Sequence, residues 1–503
     1  MGATFIPSVD KSANRKRAAF PWPAGLRGFV LALLFTASGV YEAAHLSGLF
    51  NPNVWLHLRS GTWMLQTHSI PQSGLFSQYT NLPWVDSSWT YDAVLALCYR
   101  LFGLRAIPLL LMMVKVALAV VTYVLAKEGK ASFWTAACLS AVAQYVVPVS
   151  QSLPYVLSIL FFAVELVLLQ KSRRTGKIKE LYWLPLLLLL WANVHALFVS
   201  GLVLLGLFVV SIGLEEVLKK SSTRLDRQIS TLPVRPVALI AAGSFLATLV
   251  NPYTYRIFPA AYRLLYSDVG FQYFAEMRSM SFRRPQDYLL MLLVMAAFLA
   301  LGRRRSVNIF EVLTLIAGTL VAFRIQREGW LAVLPAIAVL SHGFGFTEKG
   351  REVSCEWDKR VAWLVAAAIL GVAVLRIPRD AMLMFRAGQT FPVKACDFIR
   401  AHHLPQPIFN EYSWGSFMAW YLPEYPVAID SRVELYGNDI TENYFKVIAG
   451  GVRLDTNPSL AAAQTLLLQK QSGMVKALTT IPALTSQYRL AYSDDTAAVF
   501  VRR

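Results

Sequence analysis

The sequence predicts a mostly α-helical bundle that crosses a membrane several times and carries a small α/β domain at its C-terminal end. Of its 503 residues, 56% are hydrophobic and only 16% are charged, whereas soluble proteins carry about 25% charged residues. Apolar runs of membrane-spanning length recur from Gly28 to Leu375. Beyond Leu375, short strand-like and helix-like runs alternate, which is typical of an α/β domain.

The distribution of charge argues against nucleic-acid binding. The formal net charge is +18, but Lys and Arg occur in short clusters between the apolar runs, where they set membrane topology. The cysteines Cys98, Cys138, Cys355 and Cys396 show no CxxC spacing. We therefore interpret them as small hydrophobic side chains rather than as metal ligands.

Eleven apolar segments are predicted to cross the membrane. They are 26–46, 105–126, 131–149, 153–170, 181–194, 196–214, 236–250, 286–302, 307–323, 329–344 and 360–376. With this count, every basic cluster falls on one side of the membrane. Because cytoplasmic loops are enriched in Lys and Arg, we expect a cytoplasmic N-terminus and an extracytoplasmic C-terminus.

The segment 181–214 allows two interpretations. WLPLLLLLWANVHALFVSGLVLLGLFVV is either one long helix or a hairpin that turns near Asn193 and His195. A single helix would place the cluster Arg303–Arg305 outside the cell. The positive-inside rule therefore favours the hairpin.

These observations predict three parts: a cytoplasmic tail (1–25), a helical bundle with an outer loop at 47–104 (26–376), and an extracytoplasmic α/β domain (377–503). The expected location is the inner (cytoplasmic) membrane. Within the domain, the run Asp-Ser-Arg-Val-Glu at 430–434, with Asp430, Arg432 and Glu434, follows a predicted strand. It is either a site at a strand end or a buried ion pair.

The 47–104 loop contains the stretch NPNVWLHLRSGTWMLQTHSIPQSGLFSQYTNLPWVDSSWTYD. Helical spacing places Trp55 and Leu58 near one face, with His57 and Arg59 turned elsewhere. One interpretation is an interfacial helix that presents polar groups to a lipid headgroup. The other is a helix whose Trp residues only anchor it in the interface.

The runs NPNVWLHLRSG, IPQSGLFS, PWVDSSW, LLLWANVHALFVSGLVLL, LVNPYTYRIF and FNEYSWGSFMAWYLPEYPVAIDSRVELYG follow one another in the chain. Together they resemble a family of bacterial polytopic proteins related to the GT-C glycosyltransferases. Those enzymes transfer a sugar from a polyprenyl-phosphate carrier on the outer membrane face. The resemblance implies a GT-C-like bundle, a polyprenyl-phosphate sugar, a glycan or lipid acceptor, and contact with membrane lipid.

The chain departs from this family at its acidic positions. The expected aspartates of the loop are Asn51 and Asn53 here, and an amide cannot act as a base. Asp86, between two tryptophans, is the best substitute, although it is also placed to cap the following helix. Glu42, near the end of the first predicted span, is a second candidate base. The alternative is that Glu42 faces water.

The resemblance also indicates substrate-binding residues. His57, Arg59 and Trp89 are retained in the loop, and His195 belongs to the Trp-x-Asn-x-His block. For His195, an interhelical hydrogen bond is the alternative. Arg324 and Arg327 are suited to binding the carrier phosphate because a guanidinium binds phosphate in bidentate geometry. The alternative for both arginines is that their side chains only extend to the membrane interface by snorkelling.

The sequence therefore predicts a membrane glycosyltransferase, with Asp86 or Glu42 as the base. The alternative is a catalytically inactive relative that binds a lipid carrier or a partner protein in envelope glycan assembly. A transporter is disfavoured because no paired broken helices occur in two halves. No cofactor is assigned: the resemblance allows a divalent metal, but no residue of this chain is singled out as its ligand.

Overall fold

The structure, a computed structural model, describes residues 25–147, 152–221, 232–304, 308–343, 356–449 and 456–503. The predicted N-terminal tail, 1–25, lies almost entirely outside these ranges. The helices of the first part are α1 (Leu26–His45), α2 (Pro52–Thr67), α3 (Trp89–Phe102), α4 (Ala106–Glu128), α5 (Phe133–Val146), α6 (Leu153–Thr175), α7 (Leu184–Val194), α8 (Phe198–Ser221), α9 (Val234–Thr248), α10 (Ile257–Leu265), α11 (Asp268–Tyr273), α12 (Pro285–Gly302), α13 (Ile309–Arg324), α14 (Trp330–Gly343) and α15 (Glu356–Arg376).

The second part is a mixture of short helices and strands. Its elements are α16 (Asp380–Ala387), α17 (Val393–Ala401), β1 (Ile408–Asn410), α18 (Tyr412–Tyr421), α19 (Val433–Ile448), α20 (Pro458–Ala462), β2 (Thr465–Gln469), α21 (Gly473–Thr480), α22 (Pro482–Thr485), β3 (Tyr488–Ser493) and β4 (Ala497–Arg502). The strands form one sheet in the order β1-β2-β4-β3. β1 and β2 are parallel, and the other two pairs are antiparallel. The predicted α/β character of this region is confirmed.

Each of the eleven predicted spans contains an α-helix, namely α1, α4 to α9 and α12 to α15. By length and apolar composition, five helical stretches of the described chain can each cross a membrane. A sixth is obtained if Trp357–Arg376 and Asp380–Ala387, which are bent by 72°, count as one span. The protein is therefore an integral membrane protein. α5 and α9 are apolar but shorter.

The segment 181–214 folds as a hairpin. α6 and α8 run in the same direction, because Ser158 contacts His195 at one end (2.9 Å) and Arg173 contacts Glu215 at the other (2.6 Å). The chain between them must return along α6, and α7 makes that return. The break falls at His195, whose backbone is extended. This geometry agrees with the hairpin that the positive-inside rule favours.

The 47–104 loop is held between the bundle and the C-terminal domain. Its helix α2 packs on α18, where Trp55 contacts the rings of Phe417 and Trp420 edge-on or tilted, with centroids 5.1 and 4.7 Å away. Backbone hydrogen bonds join Phe76 and Gln78 of the loop to Val427 (3.0 and 2.9 Å). The 47–104 loop therefore lies between the bundle and the C-terminal domain and contacts both.

Gly61 determines how closely α2 approaches α3. A Cβ at this position would lie 1.9 Å from the carbonyl oxygen of Asp92, far inside van der Waals contact. Only glycine allows this approach, which brings the start of α3 against α2. As a result Asp92 lies beside His57, one helical turn before Gly61.

Gly61→Ala is expected to destabilise the protein by about 1–3 kcal/mol, because the added methyl group must push α2 and α3 apart. The measurement is thermal unfolding of the purified full chain in detergent, followed by loss of helical circular dichroism. Gly206→Ala is the matched control, since a Cβ there meets nothing within 4 Å. An unfolding temperature for Gly61→Ala no lower than that of the control would contradict the packing argument.

Candidate active site

A cleft of about 300 Å³ opens where the 47–104 loop, the bundle and the C-terminal domain meet. All three parts contribute polar side chains. The loop supplies Asn51, Asn53, His57, Asp86 and Asp92; the bundle supplies Tyr155, His195, Glu276 and Arg327; and the domain supplies Tyr412, Ser431, Arg432 and Glu434. Ionisable groups converging in a partly apolar cleft indicate a candidate active site.

Asp86 is the central carboxylate of the cleft. Its side chain is 4% exposed and accepts hydrogen bonds from the Ser60 hydroxyl (2.8 Å) and the Ser88 backbone N–H (3.1 Å). Ser88 precedes α3, so Asp86 supports the start of this helix without being its N-cap residue. Burial, and then the nearby Asp92, raise the pKa of Asp86 to about 8. A carboxyl group with this pKa is present in both protonation states near neutral pH.

His57 forms a hydrogen-bonded pair with Asp92 beside Asp86. Nδ1 of His57 lies 2.7 Å from Oδ1 of Asp92, which is 1% exposed. No described residue hydrogen-bonds to the other ring nitrogen of His57. Burial lowers the pKa of His57 to about 4, so the imidazole is neutral at pH 7. The pair was not predicted from the sequence, because 35 residues separate its members and only the α2–α3 contact joins them.

Arg327 lines the cleft from the bundle side. Its Nε donates to Oε1 of Glu328 (3.2 Å), and its guanidinium lies 5.2 Å from the ring centre of Tyr155. The Glu328 carboxylate is 3% exposed and also accepts from Tyr155 Oη (3.1 Å) and Trp330 Nε1 (2.9 Å). This network holds the guanidinium in place, so that its remaining N–H groups are preorganised to bind an anion.

His195 reaches the same cleft from the turn between α7 and α8. Its Nδ1 lies 2.9 Å from the hydroxyl of Ser158, which also accepts a hydrogen bond from Trp191 (2.9 Å). Burial, and then Arg327, lower the pKa of His195 to about 3, so this imidazole is also neutral. The hydrogen bond considered as the alternative is present, and His195 also lines the cleft. Its role in binding substrate stays a prediction.

The C-terminal domain closes the cleft. Asp430 and Arg432 form a bidentate ion pair (2.9 and 2.6 Å) that is at most 1% exposed, and the guanidinium lies 4.6 Å from the Trp84 ring centre. The buried ion pair, one of the two alternatives for this run, is confirmed. Arg432 and Glu434 also line the cleft, and the other alternative, a site at this run, stays a prediction. Trp84 donates to Glu434 (3.3 Å) and so joins the loop to the domain.

This architecture matches known structures, although no family model and no curated protein matches the sequence. The oligosaccharyltransferase of Archaeoglobus fulgidus in its apo form superposes with a TM-score of 0.52 at 11% identity, over 95% of this chain and 74% of that chain. The oligosaccharyltransferase AglB from Archaeoglobus fulgidus, in complex with an inhibitory peptide and a dolichol-phosphate, also gives a TM-score of 0.52 at 11% identity, over 96% of this chain and 75% of that chain. The chain has a GT-C-like fold. A lower similarity links it to ArnT from Cupriavidus metallidurans bound to undecaprenyl phosphate (TM-score 0.46, 14% identity, 94% of this chain and 98% of that chain).

Three of the predicted binding residues lie outside the cleft of this GT-C-like bundle. Arg59 is half-buried with its guanidinium 4.7 Å from the ring centre of Phe76. Trp89 donates to Asn193 (3.0 Å) and thereby ties α3 to α7. Arg324 is exposed on the bundle surface near Phe271. The structure therefore brings together Asp86, His57, His195 and Arg327, and separates them from these three.

Glu42 also lies away from the cleft. It is fully buried, its carboxylate pairs with Lys115 (2.7 Å), and it accepts hydrogen bonds from the Gly48 N–H (2.9 Å) and the Ser47 hydroxyl. The alternative in which Glu42 faces water is wrong, because Lys115 of α4 covers it. This ion pair joins α1, α4 and the beginning of the 47–104 loop.

Lys115→Met is expected to destabilise the protein by about 3–5 kcal/mol, since it leaves the Glu42 carboxylate buried without its cation. Thermal unfolding in detergent measures the effect. The double variant Lys115→Met, Glu42→Gln removes both charges and is expected to regain most of the lost stability. Equal stability of Lys115→Met and the unaltered protein would refute the pairing.

The described residues of the cleft do not fit the divalent metal that the resemblance allows. No group of three or more His, Cys, Asp or Glu side chains in the described ranges is arranged to hold an ion. The amide oxygen of Asn51 accepts from the Asn53 N–H (3.0 Å) and caps α2. The two positions at which the resemblance implies acidic residues thus contribute no carboxylate here, and no metal-dependent step follows from this site.

Proposed function

We propose that this protein is an integral membrane glycosyltransferase that transfers a sugar from a polyprenyl-phosphate carrier to a glycan or lipid acceptor. The observation that carries the proposal is that a carboxyl group able to exchange a proton, Asp86, and an anchored guanidinium, Arg327, line one cleft in a GT-C-like bundle. Sugar transfer from a phosphate-linked donor needs both groups: a base for the acceptor and a cation for the leaving phosphate.

The proposal includes the topology: eleven spans in the inner membrane, with the N-terminus in the cytoplasm and the cleft and C-terminal domain outside. The basic clusters support this topology, because with eleven spans all of them fall on the cytoplasmic side of the membrane. The packing of the first and last helices of the bundle supports it as well. Gly28 lies against Asp358, and Gly39 lies against Leu370, so α1 and α15 run parallel. Parallel first and last spans agree with an odd number of crossings.

In the proposed reaction, an acceptor hydroxyl attacks the anomeric carbon of the sugar. Its proton passes to the carboxylate of Asp86, and the bond between the anomeric carbon and the phosphate oxygen breaks. The polyprenyl phosphate leaves as an anion held by Arg327, which Glu328 keeps in position. Neutral His57, oriented by Asp92, and neutral His195 are available to hydrogen-bond with sugar hydroxyls.

An apolar groove adjoining the cleft suits the prenyl chain of the carrier. It encloses about 190 Å³ between α8 and α13, and is walled mainly by aliphatic side chains such as Val203, Leu207 and Val321. Arg327 lines both the groove and the cleft. A polyprenyl phosphate has a matching arrangement: its apolar chain suits the groove, and its anionic phosphate suits the cleft at Arg327.

The rate of transfer is expected to rise with pH up to about 8 and then level off. Asp86 must be deprotonated to accept the proton, and its pKa is raised to about 8. Below that value the reactive fraction falls about tenfold per pH unit. Initial rates in vesicles at constant ionic strength measure the profile. A rate that stays constant between pH 6 and 8 would exclude Asp86 as the base.

The proposal is tested with the full chain reconstituted in liposomes that contain polyprenyl phosphates carrying radiolabelled hexoses or pentoses, together with an envelope extract as the source of acceptor. We expect the label to leave the carrier for a glycan or lipid product, with release of polyprenyl phosphate. If the protein binds the carrier and the label stays on it with every donor, the transferase proposal fails.

The second candidate is a catalytically inactive relative that binds the lipid carrier or a partner protein. Asn51 and Asn53, in place of acidic residues, favour it. A deletion strain distinguishes the two: a variant with the cleft carboxylates Asp86, Asp92, Glu276 and Glu434 replaced by amides restores the phenotype only if binding, not transfer, is the function.

A further inference from the structure

A crevice lies between the C-terminal halves of α1 and α15, separate from the cleft. Near their starts the two helices are in close contact, because a Cβ on Gly28 would lie 2.1 Å from the carbonyl oxygen of Asp358. Farther along, the facing side chains are small, and a slot of about 620 Å³ opens between the helices. Its walls are mostly aliphatic and include Ala44, Ala368 and Val372.

Two arginines line the end of this slot. Arg376 is the last residue of α15 and is exposed; Arg386, on α16, is half-buried. Neither side chain forms an ion pair or a hydrogen bond with any residue in the described part of the chain. Two unpaired guanidiniums at the end of an apolar slot match a ligand with an apolar chain and an anionic head.

The helix α16 places the second arginine there. It is bent by 72° from α15 and attached to the 47–104 loop by the Leu104 N–H, which donates to Asp380 (3.1 Å). Leu383 is fully buried, whereas Phe385 is 67% exposed. An anchored helix that exposes a large apolar side chain at the end of a membrane helix is typical of the headgroup region of a bilayer.

We propose that this crevice binds an anionic phospholipid, with one acyl chain in the slot between α1 and α15 and the phosphate on Arg376 and Arg386. The charge and shape of the slot favour this occupant over an apolar membrane-spanning helix, since such a helix would leave both guanidiniums unpaired. The site shares no residue with the cleft. If the lipid-binding proposal fails, the proposed transferase function is therefore unaffected.

The experiment is a titration of the purified full chain with phosphatidylglycerol or phosphatidylcholine, read by native mass spectrometry. We expect one phosphatidylglycerol bound about tenfold more tightly than phosphatidylcholine, because the phosphate forms charge-assisted hydrogen bonds with the arginines. The variant R376A/R386A is expected to lose this preference. R379A is the matched control and keeps it, because Arg379 is exposed nearby without lining the slot.

A second variant tests the slot itself. Ala368→Trp fills it while both arginines remain, and is expected to reduce phosphatidylglycerol binding as R376A/R386A does, with an unchanged unfolding temperature. Equal affinity for the two lipids, or loss of the preference in R379A to the same extent as in R376A/R386A, would overturn the proposal. Displacement of the bound lipid by undecaprenyl phosphate alone, and not by phosphatidylglycerol, would overturn it too.

Discussion

Asp86→Asn is expected to lower the rate of sugar transfer by about 10²- to 10⁴-fold, the contribution typical of a general base, while carrier binding is retained. The amide has the shape of the protonated carboxyl: its oxygen can accept from the Ser88 N–H, and its NH₂ group can donate to the Ser60 hydroxyl. Since burial raises the pKa of Asp86 to about 8, the neutral form already predominates at pH 7. The fold should therefore tolerate the change.

The assay is transfer of labelled sugar in proteoliposomes, with carrier binding and thermal unfolding measured in parallel. Asp397→Asn, an exposed carboxylate of the C-terminal domain, is the control and should leave the rate unchanged. A variant at Asp86 that keeps more than half of the rate would remove this residue from the mechanism. Loss of binding together with the rate would indicate a role in holding substrate instead.

Arg327→Ala is expected to weaken binding of polyprenyl phosphate by about 10- to 100-fold, the loss expected for charge-assisted hydrogen bonds. Binding is measured with undecaprenyl phosphate incorporated in nanodiscs. Glu328→Gln should weaken binding less than Arg327→Ala, because it keeps the arginine but loosens its position. In kinetic terms, this appears as a raised KM for the carrier with a smaller change in kcat.

Arg324→Ala tests which of the two predicted phosphate-binding arginines, Arg324 or Arg327, binds the carrier phosphate. Arg324 is exposed and does not line the cleft, so its loss should have a smaller effect than that of Arg327. Arg489→Ala, on an exposed position of β3, serves as the control for charge alone. If Arg324→Ala weakens binding as much as Arg327→Ala, the headgroup does not lie in the cleft.

Local patterns in the sequence predicted much of the architecture. Hydropathy and the spacing of basic clusters identified eleven helical segments, each of which contains a helix, and favoured a turn near His195 within 181–214. These features are readable because a membrane-spanning helix satisfies its own backbone hydrogen bonds, and its apolar surface is continuous along the chain. The alternation of short elements after 377 likewise indicated an α/β region.

Contacts between segments that are distant in the sequence decide which candidate residues belong to the site. In the sequence, Asp86 of the outer loop was the best candidate base and Glu42, near the end of the first predicted span, was the second. Only the packing of α4 against α1 places Lys115 on Glu42 and makes it part of a buried ion pair. In the same way, the close approach at Gly61 joins Asp92 to His57.

The sequence by itself predicted a membrane bundle of GT-C-like design with an α/β domain. It also identified Asp86 and Arg327 as candidate site residues. The tertiary structure alone decided that these two residues share a cleft, and that Arg432 and Glu434 of the domain complete it. The physical reason is that hydropathy is a local property of the chain. The distances within a site are set by how helices and domains far apart in sequence pack together.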